Sequence, residues 1–273
     1  MEKSVGIVIL NYNACHETVK CITSIRNTIK ELYQIVIVDN GSKNHSYEYL
    51  KEHYQGRTAI DVLKSSRNVG FAKGNNIGIK YLREKYHSEF ILLLNSDTVM
   101  ADEAYIQKLL SQYRKGIGVI EANVQNGKGD FAQPGLSQVT VRASFYRFAR
   151  AICQYCDIYF PFKSRGKGKG YLCQVGCAIM LTPDYFKIFQ GLYSYTFLYG
   201  EEQILLILLD RAGLEVAFVE DTYLVHNEGK STPCATLQGS RKKDRKAIKG
   251  YWQAFIASCM SYKTLVKAAS TGE

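Results

Sequence analysis

At 273 residues, with 46% hydrophobic and 22% charged side chains, the chain is long enough for one large domain and too apolar to be disordered. A formal net charge of +10 favours anionic partners, among them nucleotide phosphates, nucleic acid and acidic membrane surfaces. No run approaches the roughly 18 apolar residues of a spanning helix. Met1-Glu2-Lys3-Ser4 enters the first strand directly with no secretory leader apparent, so a cytoplasmic location is expected.

Val5 to Leu10 is apolar and β-branched and predicts a first strand, ending at Asn11-Tyr12-Asn13. A helix follows over Cys15 to Thr28, with Val19, Ile22 and Ile25 on one face. Gln34 to Val38 is a second strand that meets the turn Asp39-Asn40-Gly41-Ser42. A helix over His45 to His53, a strand over Ala59 to Leu63 and a helix over Phe71 to Tyr86 come next. Gly74 and Gly78, four apart, would let that last helix lie close to a neighbour. Phe90-Ile91-Leu92-Leu93-Leu94 then runs straight into Asn95-Ser96-Asp97-Thr98, a buried central strand ending in a polar cluster.

Strands alternating with helices predict a doubly wound, mostly parallel α/β sheet. Its polar tips at Asn11, Asp39, Arg67 and Asp97 should open on one edge, where such sheets bind ligands, commonly nucleotides. On local grounds alone, Asn95 to Thr98 could equally cap a helix. Neither G-x-G-x-x-G after the first strand nor G-x-x-x-x-G-K-[ST] is present, which argues against a dinucleotide dehydrogenase and a P-loop NTPase.

Ala101 to Arg114 reads as a helix and Ile117 to Asn123 as a strand. About forty aromatic-rich residues after it, with Phe145, Tyr146, Phe148, Tyr155, Tyr159, Phe160 and Phe162, read as irregular, and Lys163 to Gly170 as a mobile basic glycine loop. Tyr171 to Leu181 is sheet-like, and Thr182-Pro183 starts a short helix. Glu201 and Glu202 stand at the mouth of a largely buried helix, as acids that either favour its dipole or carry chemistry. Val216 to Val219 is a strand, and a further apolar pair, Leu224-Val225, precedes His226. The cysteines at 153, 156, 173 and 177 have spacings that could hold zinc, but their aromatic and apolar surroundings favour small buried hydrophobes.

The segment Arg241-Lys242-Lys243-Asp244-Arg245-Lys246 is basic, and Ile248, Trp252, Phe255, Ile256, Cys259 and Tyr262 follow at helical spacing. Such an amphipathic helix either lies on an anionic membrane surface or packs on the domain with a solvated flank. No nucleic-acid-binding signature accompanies these charges, so nucleic acid is not an expected partner.

Four stretches together resemble the family 2 glycosyltransferases of GT-A fold, in a bacterial rhamnosyltransferase-like branch. They are Val8 to Asn13, Ile35 to Ser42, Arg67 to Gly78 and Leu92 to Thr98; Phe197 to Glu202 and Val225 to Gly229 match more loosely. The resemblance implies a nucleotide-diphospho-sugar transferase fold with a mostly parallel sheet. It implies a donor-binding half over 1–100, an acceptor-binding and catalytic half over 101–230, and a basic helical tail over 231–273. It assigns Asn11, Asp39, Arg67, Asn75, Asn95 and Ser96 to the donor. Asp97 and His226 are assigned to a divalent cation, Mn²⁺ or Mg²⁺, and Glu202, with Glu201 as its partner, to proton removal from the acceptor.

The implied reaction is inverting transfer from a pyrimidine nucleoside diphosphate sugar, dTDP-rhamnose or a UDP-hexose, to a glycan hydroxyl. The acceptor is expected to be a growing cell-surface glycan, lipid-linked and met at the inner face of the membrane. A carboxylate suits the base, and a cation the departing diphosphate. Two departures bear on this reading: Asn95 replaces the first Asp of the strict metal motif, and Glu202 is one methylene longer than the usual Asp. They keep open a non-catalytic sugar-nucleotide-binding protein of the same fold.

Overall fold

The computed structural model describes residues 4–30, 32–132, 135–160, 170–173, 176–227 and 237–269, with only the backbone of 135–137, 170, 172–173 and 237–243. The basic glycine loop over 163–169, Phe162 and the pair Glu228-Gly229 lie outside the described residues.

Strand β1 (Val5–Asn11) lies between β2 (Tyr33–Asp39) and β4 (Phe90–Asn95), parallel to both, and β3 (Ile60–Lys64) closes that side beside β2. These strands read as continuous apolar runs because both faces are covered. Side chains alternate across a strand, and here the alternation feeds two cores. Ile7, Ile9, Ile35, Ile37, Leu92 and Leu94 pack with Cys21, Ile22 and Ile25 of helix α1 (Cys15–Thr28). Val8, Val36, Val38, Ile91 and Leu93 pack with Ala72, Ile79 and Leu82 of α3 (Phe71–Tyr86). A β-carbon at Gly78 would lie 2.5 Å from Val8 Cγ1, so the missing side chain is what lets α3 sit this close to the sheet. The short α2 (Ser46–His53) joins β2 to β3.

Beyond β4 the sheet departs from the expected parallel pattern. The full order is β3-β2-β1-β4-β9-β6-β10-β5. Strand β9 (Ala178–Leu181) inserts antiparallel between β4 and β6 (Ile117–Asn126). Strand β10 (Glu215–His226) runs parallel to β6, and β5 (Thr98–Met100) pairs antiparallel with its end. The sequence suggested two apolar stretches where β10 is a single strand. Its register slips between Val219 and Tyr223, where polar Glu220, Asp221 and Thr222 interrupt the apolar pattern. The helix read over Ala101 to Arg114 shrinks to α4 (Tyr105–Ser111).

The aromatic stretch read as irregular contains a helix of four turns, α5 (Val141–Tyr155), framed by the two-stranded sheet of β7 (Gly135–Gln138) and β8 (Gly170–Cys173). Thr140 caps α5, its hydroxyl accepting from Ala143 N at 3.1 Å. Thr182 likewise caps α6 (Pro183–Phe186), with proline at the first helical position. Helix α7 (Glu201–Ala212) is buried through Gln203 to Leu209.

Helix α8 (Leu237–Cys259) packs against α5 and α7, with Ala254 and Ala257 buried in the second core. The apolar series does not continue in one helix to Tyr262. The chain breaks at Met260-Ser261 and restarts as α9 (Tyr262–Ala268), capped by Ser261, with Leu265 and Ala268 buried in the same core. Among the described residues no helix is long and apolar enough to cross a membrane.

Candidate active site

The carboxyl ends of β1, β2 and β4 share one edge, and their tips are fastened to one another. Asn11 donates from Nδ2 to Asp39 Oδ2 at 2.7 Å and to Ser42 Oγ at 3.3 Å, while its Oδ1 accepts from Thr18 and from Ala14 N. Asp39 Oδ1 accepts from Ser42 N at 2.9 Å. Asp39 is thus fully buried, with both oxygens already accepting, and each oxygen keeps a further lone pair. Asn40 extends the network, donating to Gly70 O at 3.1 Å and accepting from Val69 N at 3.0 Å. Arg67 is exposed beside that turn. Asn75 is buried and turned to its own helix, its amide donating to Phe71 O at 3.0 Å.

The loop after β4 is locked from beneath. Thr98 Oγ1 donates to Asn95 O at 2.8 Å, and Asn95 N donates to Cys177 O at 2.9 Å. Cys21 lies 3.4 Å from the Thr98 hydroxyl. Burial first, and then the neighbouring Asp97 charge, push its thiol up to about 12, so it acts as a neutral prop rather than a thiolate ligand.

Asp97 and His226 are far apart in sequence and meet through the β5–β10 ladder. His226 stands opposite Thr98, and Asn227 N donates to Asp97 O at 3.0 Å. That register brings His226 Nε2 to 3.1 Å from Asp97 Oδ1, with both side chains buried. Ser96 is buried beside them, and Asn95 is partly exposed.

Glu202 reaches the same edge from α7. Its carboxylate lies over Gly176, where a β-carbon would come within 2.5 Å of Glu202 Oε1. Gly176 immediately precedes the Cys177 carbonyl that holds Asn95 N, which sets Glu202 above the end of β4. Glu201 is held differently. Its Oε1 is buried, and the residue borders a small void with Ala72, Leu192, Tyr193, Leu205 and Leu208. Burial, then the charge of Glu202, raise its carboxyl to about 7.

The turn carrying this pair is positioned from outside α7. Phe71 N donates to Phe197 O at 2.8 Å, which ties the start of α3 to the loop before Glu201. Gly250 of α8 packs directly on Tyr199 O, leaving no room for a side chain. Asn76 clamps the preceding loop, accepting from Leu192 N at 2.7 Å and donating to Leu192 O at 2.9 Å and Ser194 Oγ at 3.1 Å. Sequence reasoning missed Asn76, Gly176 and Gly250. Each acts on a partner remote in the chain, and only Asn76, inside the Arg67 to Gly78 stretch, carried any signal.

As a cation site, the arrangement offers one carboxylate, of the kind Mn²⁺ and Mg²⁺ take, and one imidazole, of the kind transition metals take. Among the described residues no group of three or more His, Cys, Asp or Glu side chains is placed to hold a metal ion. Two protein donors leave most of a divalent cation's coordination shell to other ligands.

The sequence model of the family described as "Glycosyl transferase family 2" matches residues 6–186, which contain the carboxyl ends of β1, β2 and β4. The chain belongs to glycosyl transferase family 2. Its α/β fold, with a central curled sheet, is the GT-A-like architecture of these transferases. It is 26% identical over 128 residues to the uncharacterized glycosyltransferase YkcC of Bacillus subtilis, covering 46% of this chain and 38% of that one. It is 25% identical over 129 residues to the low-salt glycan biosynthesis hexosyltransferase Agl10 of Haloferax volcanii, covering 47% of this chain and 39% of that one. The match to the chondroitin synthase of Escherichia coli is 28% over 116 residues, 42% of this chain and 16% of that one. These matched segments span well under half the length of those relatives. Residues 1–349 of S. aureus TarS, in a crystal structure, superpose with a TM-score of 0.55 at 12% identity, over 96% of this chain and 68% of that one, which is a likeness of fold.

Proposed function

We propose that this family 2 member is an inverting glycosyltransferase. It takes a sugar from a pyrimidine nucleoside diphosphate donor, dTDP-rhamnose or a UDP-hexose, to a hydroxyl of a growing, lipid-linked cell-surface glycan at the cytoplasmic face of the membrane. The observation that carries the reading is the meeting of Asn11–Asp39, Asn95–Asp97, His226 and Glu202 at one sheet edge, from separate stretches of chain. Two relatives named for glycan biosynthesis and chondroitin synthesis support a glycan acceptor. Thymine and uracil present the same ring N–H, so the Asp39 carboxylate serves a dTDP- or a UDP-sugar alike.

In this reading residues 1–100 hold the donor, 101–230 hold the acceptor and the base, and 231–273 form the tail. Asp39 accepts from the pyrimidine ring N–H through a remaining lone pair, oriented by Asn11 and Ser42 N. Arg67 and Asn75 flank the nucleoside, and Asn95 and Ser96 the ribose. Asp97 and His226 would hold a divalent cation, which when bound supplies positive charge against the departing diphosphate. Glu202 removes the proton from the acceptor hydroxyl as that oxygen bonds to the anomeric carbon. The bond from that carbon to the diphosphate oxygen breaks in the same displacement, which inverts the configuration. With its carboxyl raised to about 7 by burial and the charge of Glu202, Glu201 stays partly protonated at neutral pH, and the base role is assigned to Glu202.

The test is release of nucleoside diphosphate from dTDP-, UDP- and GDP-sugars, with and without Mn²⁺ or Mg²⁺. Turnover of a pyrimidine donor that depends on the cation is expected. Turnover of a purine donor alone would contradict the role given to Asp39. Nucleotide binding with no turnover of any donor would leave a non-catalytic binding protein.

A further inference from the structure

The packing of α5 on α8 builds a surface that the donor chemistry does not use. Val141, Phe145, Phe148 and Ile152 recur at helical spacing along α5, and Trp252 and Phe255 lie one turn apart on α8. Their rings form a continuous array. Phe145 meets Phe255 at 5.4 Å between centroids, Phe255 meets Trp252 at 5.6 Å, and Trp252 meets Phe148 at 4.9 Å. Much of this array faces outward: Phe145 is 52% exposed, Val141 42% and Trp252 41%. A contiguous apolar patch of this kind marks a contact surface rather than scattered surface hydrophobes.

Cations flank it. On α5, Arg142 is exposed beside Val141 and Phe145, and the helix has no acid. On α8, Arg245 and Lys249 stand seven and three residues before Trp252, both exposed, and Asp244 is the helix's sole acid. Arg245 also bridges the two helices, donating from Nε to Tyr155 Oη at 2.8 Å. Aromatic rings flanked by cations match a bilayer with anionic headgroups, where rings enter the interface and cations meet phosphate.

We propose that the α5–α8 face seats the protein on an anionic lipid bilayer, with Phe145 and Trp252 entering the headgroup boundary and Arg142, Arg245 and Lys249 on lipid phosphates. The inference deepens the proposed function and rests on it for the lipid-linked acceptor, since the face would bring the enzyme to a membrane-borne glycan. The seat belongs to two helices, not to the basic tail alone. Helix α8 contributes Ala254 and Ala257 to the core, and α5, unforeseen from the sequence, supplies Val141, Phe145, Phe148 and Ile152 to the apolar surface.

Trp252 is the chain's one tryptophan, so its emission reports this face directly. The experiment incubates the full chain with vesicles of phosphatidylcholine alone and of phosphatidylcholine with phosphatidylglycerol, following Trp252 emission, quenching by bromine-labelled acyl chains, and co-sedimentation. Expected are a blue shift, quenching and pelleting with the anionic vesicles only, weakened by salt. Phe145→Ser should lower the partition about tenfold. Arg142→Gln and Lys249→Gln should each lower it about fivefold. Nucleoside diphosphate release in vesicle-free solution should be unchanged in Phe145→Ser, so loss of seating and failure of the transferase reading are told apart. Unshifted emission with no pelleting overturns the proposal. So does a blue shift that follows protein concentration without vesicles, which would make the face a contact between two copies of the chain.

Discussion

The proposed donor edge and the proposed base of this site are held in different ways. Asn11, Asp39, Ser42 and Asn40 fix one another within two adjacent strand tips, through side-chain and turn hydrogen bonds. Among the described residues no such local frame surrounds Glu202. Its position depends on Gly250 of α8 against Tyr199 O, on Phe71 N reaching Phe197 O, and on Asn76 gripping the 192–194 loop. The proposed donor side is therefore preorganised by short-range structure, whereas the proposed base is positioned by the packing of distant helices. Damage to the first should read out as affinity and damage to the second as rate.

The largest expected effect sits where the two edges meet. Asp97→Ala removes the carboxylate that lies 3.1 Å from His226, and cation-dependent release of nucleoside diphosphate should fall about 10²–10³-fold. Steady-state assays across a cation titration check this, and parent activity in the variant would remove Asp97 from the site. Next comes Gly250→Ala, whose added methyl collides with the Tyr199 carbonyl. We expect a loss of about 1–3 kcal/mol in unfolding free energy and a fall in turnover with donor affinity kept. A loss of affinity instead would erase the distinction between the edges.

Glu201→Gln separates the two acids by pH. The native Glu201 carboxyl is raised from 4.5 to about 7, so its stabilising contribution is full below about 4.5 and lost as pH rises through about 7. Above that window the Gln variant should be more stable than the parent, by about 1–3 kcal/mol, and near the bottom of the window the two should converge. Melting temperatures measured between about pH 5 and about pH 8 give the answer, and parallel curves would contradict the burial assigned to this carboxyl. The smallest effect is expected from Ser42→Ala, which deletes the hydroxyl that accepts from Asn13 N at 2.8 Å and Asn11 Nδ2 at 3.3 Å. About 1 kcal/mol of donor affinity should be lost with turnover at saturation unchanged, measurable by calorimetry with UDP or dTDP.

The same contrast governs what could be read from the chain. Strands covered on both faces are uninterrupted apolar runs, and α1 and α3 carry a clear helical period, so Cys15–Thr28 and Phe71–Tyr86 appear in the structure with the limits read from sequence. Helix α5 was hidden by composition. Its aromatic residues favour strands and loops in isolation, and it is helical because Ala143 and Ser144 pack inward while its rings meet those of α8. Strand β9 gave no sign that it would insert antiparallel beside β4, since four buried residues pair equally well either way. At the site, the Asp39 turn announced itself through Asn40-Gly41. The family resemblance pairs Asp97 with His226, and the β5–β10 register is the physical means that brings them together. Gly250 was invisible, its meaning residing in Tyr199.

The most direct measurement compares donor binding and single-turnover release of nucleoside diphosphate in the parent and in Glu202→Gln, with the preferred pyrimidine donor and saturating cation. The substitution keeps the shape over Gly176 and removes only the capacity to take a proton. Donor affinity is predicted to stay at the parent value while release slows about 10²–10⁴-fold. Release at the parent rate, or loss of donor binding together with rate, would contradict the division between a donor edge on β1, β2 and β4 and a base on α7.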